Sequence, residues 1–205
     1  MKLYYMPGAC SLAPHIALRE ADLPFGLVKV DYHSRRTEHD RDYREVNPKG
    51  YVPALVLDDG QLLTEVSVIL QYVDALAPDA ALLPASGMKR FRALEWLNYI
   101  GTEIHKSFSP LFRPTTPDVF LKPGREQLKR RLAVVESHLH QHDYLMGSDF
   151  SLADIYLFTV CRWLGDQELS LTDWPALLRH SGDIATRHAV REALVSEGLS
   201  DTDVE

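Results

Sequence analysis

The sequence predicts a small α/β domain with a mixed sheet, followed by an all-helical domain. Through the first third of the chain, short apolar runs of strand length alternate with helical patterns, whereas every apolar pattern after about residue 87 repeats at helical spacing. Between these parts, residues 77–87 contain two prolines and a glycine, a composition typical of a linker. We therefore predict domains at 1–77 and 88–205, joined by a linker at 78–87.

The elements of the first domain follow from local pattern. Residues 3–5 and 27–30 have the apolar character of strands, and an amphipathic helix is predicted between them. Asp59-Gly60 separates two further apolar runs, and Asp-Gly in that position is a strong hairpin signal. Apolar residues then recur at three and four residues from Val66 to Leu76, which predicts a helix with Thr64 as its cap.

The second domain is predicted to be helical throughout. A long apolar stripe runs from Phe91 to Phe108, and a second helix is predicted over 125–140. The start of a third helix is the best specified, because Ser151 and Asp154 have the spacing of a capping box. Shorter helices are predicted at 175–188 and 191–196.

Composition excludes several classes of protein. The chain has 205 residues and a formal net charge of -7, so we expect no nucleic-acid partner, because binding phosphates needs a basic face. No apolar run approaches the ~18 residues of a membrane span, and the N-terminus lacks the pattern of a signal peptide. We therefore expect no membrane association and a cytoplasmic location.

The two cysteines lead to different expectations. Cys10 lies where the first strand ends and the first helix begins, and a helix N-terminus favours an anion. A thiol in that position is expected to have a lowered pKa and to be reactive, although a small buried hydrophobe is the alternative. Cys161 lies within an apolar run and is expected to be part of the core.

Two positions near the hairpin are open to more than one interpretation. Pro53 directly precedes a strand, so the Val52–Pro53 bond is either cis, which would present the backbone of Val52 to a peptide-like ligand, or an ordinary trans bond at a strand start. Glu65 begins the following helix, where a carboxylate commonly interacts with the helix dipole. Alternatively, Glu65 pairs with the amino group of a ligand whose carboxylate binds the helix N-terminus.

Several polar residues of the helical domain are candidates for a ligand-binding or metal-binding role, and the sequence supports them to different degrees. Asn98, Thr102 and His105 are spaced to share one face of the first helix and could line a cleft, although a lone histidine on a helix is more often structural. His138 and His142 are spaced to share a ligand, but no acidic residue or cysteine stands at metal-binding spacing beside them. We interpret these histidines as surface residues and expect no metal.

Several motifs together resemble the glutathione transferases, and most closely their bacterial beta class. Residues 4–11 read Tyr-x-x-Pro-Gly-Ala-Cys-Ser, and residues 47–55 read Asn-Pro-Lys-Gly-x-Val-Pro-Ala-Leu. Leu-Thr-Glu follows at 63–65, Trp-Leu-Asn-Tyr-Ile at 96–100, and Ser-Leu-Ala-Asp at 151–154. The likeness spans nearly the whole chain, and its motifs agree in order and spacing.

The resemblance implies a cytosolic glutathione transferase architecture, with a thioredoxin-like N-terminal domain that binds glutathione and an all-α domain that shapes the second substrate's site. It implies conjugation of the glutathione thiolate to a small electrophile in detoxification, thiol–disulfide exchange with a disulfide substrate through Cys10, and a homodimer. Cys10 and His105 would be the catalytic residues. The residues implied in binding glutathione, the co-substrate, are Tyr5, Arg35, Val52, Pro53, Glu65, Val66, Ser67 and Asn98.

One departure from the family pattern leaves alternatives open. Many glutathione transferases have serine or glycine directly after the glutamate, whereas this chain has Val66 followed by Ser67. The branched side chain could crowd the glutamyl pocket, which favours a non-enzymatic carrier of apolar ligands with the same fold. A glutathione-dependent dehalogenase or isomerase is a further alternative, although the Ser-Ser-Cys loop of the isomerases is absent.

Overall fold

We describe residues 1–199 from a computed structural model, in which the contacts group the chain into two compact units. The first unit comprises Met1–Leu82 together with the described residues from Arg187 onward, and the second comprises Leu83–Thr186. The chain passes from one unit to the other at Leu82 and Leu83, within the segment predicted as a linker, and both leucines are buried.

A four-stranded mixed sheet forms the centre of the first unit, as the sequence predicted. Its strands are β1 (Lys2–Tyr5), β2 (Gly26–Lys29), β3 (Ala54–Val56) and β4 (Leu62–Thr64), in the order β2-β1-β3-β4. β1 pairs in parallel with β2 and antiparallel with β3, which forms the predicted hairpin with β4. Leu3 and Leu55 are register partners with no exposed surface, so the middle of the sheet is core.

Three helices complete the first unit: α1 (Leu12–Glu20), α2 (Val66–Leu76) and α8 (His188–Glu197). α1 contacts both α2 and α8. The predicted domain boundary at residue 88 places α8 in the helical domain, but its ion pairs are with the first unit. Arg187, just before α8, donates two hydrogen bonds to Glu20 at 2.6 and 2.8 Å, and Arg19 donates to Glu192 at 3.1 Å.

The second unit is helical in all of its regular elements that the structure describes. Its helices are α3 (Gly87–Tyr99), α4 (Lys106–Phe112), α5 (Leu121–Leu139), α6 (Leu152–Cys161) and α7 (Pro175–Ala185), with short 3-10 turns between some of them. α5 begins at Leu121, earlier than the predicted start at residue 125. Pro123 and Gly124 indicated a break in the helix, but they lie in its first turn, where proline is tolerated. No helix within residues 1–199 has the length and apolarity required to span a lipid bilayer.

The long apolar stripe predicted from Phe91 to Phe108 is interrupted by a π-helical segment, Ile100–His105, between α3 and α4. Phe91 is 65% exposed and does not belong to the core, although Ile100, Ile104 and Phe108 are fully or almost fully buried. A π segment has more residues per turn than an α-helix, so it changes which side chains share a face.

The predicted capping box at the start of α6 is confirmed. The Ser151 hydroxyl and the Asp154 carboxylate satisfy each other's backbone N–H groups, and the Asp154 side chain has no exposed surface. Asp154 also accepts hydrogen bonds from the Leu145 N–H at 2.8 Å and from Nε2 of buried His180 at 2.9 Å. One carboxylate therefore ties together the preceding loop, the start of α6 and α7.

Replacing this carboxylate should destabilise the protein strongly. We expect Asp154→Ala to lower the free energy of unfolding by about 3 kcal/mol, because several buried donors would lose their acceptor at once. Urea-induced unfolding monitored by circular dichroism measures the change. Asp149→Ala, in the same region but exposed, is the matched control and should change stability by less than ~0.5 kcal/mol. A loss below ~1 kcal/mol in Asp154→Ala would contradict the stabilising role of this carboxylate.

Candidate glutathione site

The loop that carries Cys10 connects β1 to α1. Gly8 has a φ of 71°, in the left-handed region that glycine adopts without strain. The hydroxyl of buried Ser11 lies 3.2 Å from both the N and the O of Met6, which closes the loop on itself. Ser11 is the N-cap residue of α1, so Cys10 stands just before the helix N-terminus, as predicted.

A buried carboxylate from the last helix holds this loop in place. Oε2 of Glu197 accepts the N–H of Gly8 at 2.9 Å, and Oε1 lies 2.8 Å from Nδ1 of His15 in α1. Nε2 of His15 accepts a hydrogen bond from Nε of Arg19 at 3.0 Å, and an arginine can only donate. The proton of His15 therefore resides on Nδ1, which donates to Glu197.

The thiol of Cys10 differs from the sequence expectation. Its S–H donates to the carbonyl oxygen of Val52, with an Sγ–O distance of 3.2 Å. Burial raises the pKa of Cys10 to about 12, and the nearby carboxylate of Glu65 adds to the shift. The backbone N–H groups of Cys10 and Ser11 lower the pKa but do not compensate for burial. The prediction of a lowered pKa is wrong for this state, because desolvation outweighs the helix N-terminus.

The segment before β3 is fixed by side chains of the first unit. The peptide bond between Val52 and Pro53 is cis, which settles the alternative that the sequence left open. The carbonyl of Tyr51 accepts hydrogen bonds from the Tyr43 hydroxyl at 2.8 Å and from the amide of Asn47 at 2.6 Å. Burial raises the pKa of Tyr43 to about 12, so this phenol remains protonated and can donate.

The N-terminus of α2 presents backbone donors. Glu65 is the N-cap residue, and Thr64, which was predicted as the cap, is the last residue of β4. The carbonyl of Glu65 accepts from the N–H groups of Val68 and Ile69, so those of Val66 and Ser67 come first in the helix and have no acceptor within it. Such N–H groups favour an anionic ligand.

The backbone of Glu65 is strained, with a φ of 72° and a ψ of 123°. A residue with a side chain rarely adopts these angles, and such strain is concentrated at functional sites. The carboxylate of Glu65 pairs with Nζ of Lys49 at 2.6 Å, and Lys49 also donates to the Thr64 hydroxyl at 3.0 Å. Both charged side chains are more than half exposed, so the pair stabilises the protein by less than ~1 kcal/mol and can be exchanged for a ligand's charge.

The side chain of Val66 does not crowd this region. It is 6% exposed and belongs to the core, whereas Ser67 is partly exposed. The branched side chain therefore packs inward, while the N–H of the same residue remains at the helix N-terminus. The expectation that Val66 obstructs a glutamyl pocket receives no support from this arrangement.

Two further predicted binding residues lie in the first unit. Arg35 has a φ of 57°, and its guanidinium stacks over the ring of Tyr32 at 4.8 Å and approaches Sδ of Met6 at 3.7 Å. Tyr5 is 8% exposed, and burial and then the charge of Glu197 raise its pKa. Tyr5 therefore stays a neutral phenol at physiological pH.

The remaining predicted residues, Asn98 and His105, lie in the second unit. Asn98 and Thr102 are exposed, and the Thr102 hydroxyl donates to the carbonyl of Asn98 at 3.0 Å. His105 is half-buried, with Nδ1 at 2.7 Å from the Tyr156 hydroxyl and its ring 5.0 Å from that of Trp163. The α-helical spacing grouped the three residues on one face that could line a cleft, but a π-helical segment intervenes, and His105 is half-buried while the other two are exposed.

An aromatic cluster continues from His105. The rings of Phe108 and Trp163 meet edge to face at 5.3 Å, and Phe112, which is 40% exposed, lies 5.9 Å from Phe108 and 5.8 Å from Trp163. Such packing forms a rigid apolar surface beside the histidine.

The histidines near the end of α5 do not form a metal cluster. The rings of His138 and His142 lie 4.5 Å apart, and burial followed by the charge of His142 lowers the pKa of His138. Within the described part of the chain, no group of three histidine, cysteine, aspartate or glutamate side chains is arranged to hold a metal ion.

Comparison with known proteins identifies the family. The model of the glutathione S-transferase N-terminal domain matches residues 8–76, and that of the C-terminal domain matches residues 99–187. Glutathione S-transferase GstA of Escherichia coli O157:H7 is 48% identical over 200 residues, which cover 97% of this chain and 100% of that protein. The chain belongs to the glutathione S-transferase family.

Solved structures support the assignment to the bacterial beta class. BphK, a bacterial transferase solved as a ternary complex, is 50% identical with a TM-score of 0.94, covering 97% of this chain and all of that one. A beta-class transferase of Sphingomonas chungbukensis is 43% identical with a TM-score of 0.94, over 98% and 100% of the two chains. A sphingomonad transferase complexed with glutathione is 46% identical with a TM-score of 0.93 and the same coverage.

Two residues of this transferase that contact the site segments, Glu197 and Tyr156, have no clear signal in the sequence. Glu197 stands in a short helix whose local pattern shows no sign of burial. Tyr156 stands in the apolar run of α6, which reads as core. A buried tyrosine needs a partner for its hydroxyl, and this was the one available signal.

The raised pKa of Cys10 predicts slow alkylation of the ligand-free transferase. At pH 8 a thiol with a pKa of about 12 is ionised in roughly one molecule in ten thousand. We expect the rate with iodoacetamide, measured by peptide mass spectrometry, to rise about tenfold per pH unit from pH 7 to 10 without a plateau. The urea-unfolded chain is the control, and there the rate should level off as the pH approaches 10, about one unit above the ordinary pKa of a thiol. A plateau at or below pH 9 in the folded protein would contradict the raised pKa.

Proposed function

We propose that this transferase conjugates the thiolate of glutathione to small electrophilic substrates. The observation that carries the proposal is the grouping of complementary donors and acceptors in the first unit. Cys10 contacts the backbone of Val52, and Glu65 is close enough for its charge to act on that thiol. Next to Glu65, α2 begins with N–H groups that have no acceptor within the helix. This combination of groups is complementary to a γ-glutamyl tripeptide, which has an ammonium, carboxylates and a peptide backbone.

Each part of glutathione has a proposed partner. The γ-glutamyl carboxylate binds the N–H groups of Val66 and Ser67, and the γ-glutamyl ammonium replaces Lys49 as the partner of Glu65. The cysteinyl backbone binds Val52 beside Pro53. Tyr5 adds contact surface, and the residue that meets the glycine carboxylate is Arg35, whose planar guanidinium suits a carboxylate.

The chemistry requires a sulfur anion at neutral pH. We propose that N–H groups at the start of α1 and the imidazole of His105 donate hydrogen bonds to the glutathione sulfur, with Asn98 nearby. Each pKa unit by which these donors favour the thiolate corresponds to about 1.4 kcal/mol. The thiolate then attacks an electrophilic carbon and displaces its leaving group or adds to it.

Thiol–disulfide exchange through Cys10 is a second proposed activity of the same site. The Cys10 thiolate attacks a disulfide, one sulfur becomes bonded to Cys10, and the other leaves as a thiolate. Because burial raises the pKa of Cys10 to about 12, we expect this reaction to be slower than conjugation near neutral pH.

We also propose that the enzyme acts in detoxification, as a homodimer in the cytoplasm, without a metal cofactor.

The carrier hypothesis loses the observation that favoured it. It rested on Val66 crowding the glutamyl pocket, and that side chain is buried in the core. The strained backbone of Glu65 and the donors beside it favour a retained glutathione site instead.

Calorimetric titration with glutathione tests the proposed binding site. We expect Glu65→Gln to weaken glutathione binding about tenfold or more, because the ligand's ammonium loses a charge-assisted partner. Asp59→Asn, which removes an exposed carboxylate of the hairpin turn, is the matched control and should bind as the wild type does. No heat of binding at millimolar glutathione in the wild type would reject the site.

Assays of conjugation and of disulfide exchange in variants of Cys10 and His105 test the separate roles of these two residues. We expect Cys10→Ala to lose nearly all disulfide exchange but to keep conjugation with an activated aryl chloride within about tenfold. We expect His105→Ala to lower conjugation by ten- to a hundredfold, because a donor to the thiolate is lost. His188→Ala, at an exposed position, should leave both activities unchanged. If Cys10→Ala leaves both disulfide exchange and conjugation intact, Cys10 has no catalytic role.

A further inference from the structure

The orientation of His105 depends on an irregularity of the helix that carries it. His105 is the last residue of the π-helical segment Ile100–His105. The extra residue in a π turn rotates the following side chains relative to a continuous α-helix. In consequence His105 is half-buried beside α6, although α-helical spacing would place it with the exposed side chains of Asn98 and Thr102.

The partner of His105 on α6 is a buried tyrosine. Tyr156 is 3% exposed, and its hydroxyl lies 2.7 Å from Nδ1 of His105. The two rings meet edge to face at 5.9 Å. Gly101, one helical turn before His105, lies next to this hydroxyl, and a Cβ at that position would stand at an ordinary van der Waals distance, 3.5 Å, from the oxygen.

The chemistry of the two groups decides which one donates. A phenol is a much stronger acid than a neutral imidazole N–H, and an imidazole nitrogen is a much stronger base than a phenol oxygen. The stronger hydrogen bond therefore runs from the Tyr156 O–H to Nδ1 of His105. A neutral imidazole carries one proton on its two nitrogens. If Nδ1 of His105 accepts a hydrogen bond, the proton is therefore on Nε2.

We propose that Tyr156 is a positioning residue that holds His105 in the tautomer with the proton on Nε2, so that this nitrogen serves as a hydrogen-bond donor in conjugation. The catalytic consequence of this tautomer rests on the proposed function. The assignment of the tautomer itself is independent of that function. Tyr156 acts through His105 and is not assigned a contact with the substrate.

The surroundings of Tyr156 make it suitable for this role. α6 is buried along its whole length, and its start is fixed by the capping box of Ser151 and Asp154. A side chain on such an element has little freedom to move, so its hydroxyl presents a fixed donor. The ring of Trp163 also packs against that of His105, with centroids 5.0 Å apart, and restricts its rotation.

Nitrogen-15 NMR of the imidazole tests the tautomer without any substrate. Long-range nitrogen–proton spectra distinguish the protonated ring nitrogen from the other, and His105 is assigned from the signals missing in His105→Ala. We expect the Nε2-protonated form to predominate in the wild type and in Tyr99→Phe. In Tyr156→Phe we expect a mixture of both tautomers. The Nδ1-protonated form in the wild type, or an unchanged spectrum in Tyr156→Phe, would overturn the proposal.

Kinetics test the consequence for conjugation. We expect Tyr156→Phe to lower kcat three- to tenfold with little change in KM for glutathione, as for the loss of one hydrogen bond in the transition state. Tyr99→Phe is the matched control, because it removes a tyrosine hydroxyl that donates to the Arg131 carbonyl at 3.0 Å in the same unit. It should keep the wild-type kcat.

Combining the substitutions shows whether Tyr156 acts through His105. In the His105→Ala background, Tyr156→Phe should have no further effect on kcat. An equal loss in both backgrounds would overturn the positioning role, because it would show that Tyr156 acts independently of His105. Since the tautomer is measured without substrate, a wild-type protein that is inactive toward electrophiles would overturn the proposed function separately.

Discussion

The first unit is organised around one buried carboxylate, that of Glu197. A buried carboxylate is costly unless its oxygens accept hydrogen bonds, and here each oxygen has a different donor. The N–H of Gly8 binds one oxygen and the imidazole of His15 binds the other. These donors belong to the Cys10 loop and to α1. The observed shape of the loop therefore depends on the packing of α8 against α1.

The same packing explains the state of Cys10. A helix N-terminus stabilises a thiolate only where the sulfur also keeps enough solvation. The closed loop holds the thiol of partly exposed Cys10 against the carbonyl of Val52, and the resulting desolvation dominates the pKa of Cys10. Cys10 is therefore a neutral thiol near physiological pH, and in the proposed conjugation the thiol that must be activated is that of glutathione.

Much of the fold could be predicted because its signals are local. The hairpin turn, the helix of residues 66–76 and the capping box of Ser151 each depend on neighbouring residues, and the structure has all three. The membership of α8 could not be predicted, since Glu197 finds its donors more than 180 residues away in the chain. The burial of Val66 and of the Cys10 thiol likewise depends on tertiary packing, which the motif around each residue does not encode.

His105 shows most clearly where periodicity stops being informative. Spacing along an α-helix groups it with Asn98 and Thr102, but a π turn intervenes, and such a turn has no reliable sequence signal. The resulting rotation brings the ring to Tyr156. His15 and His105 then differ by the partner of Nδ1: a carboxylate can only accept from this nitrogen, whereas a phenol is the better donor to it. Two histidines of one chain are thereby suited to different tasks, one holding a loop and the other presenting a donor from Nε2.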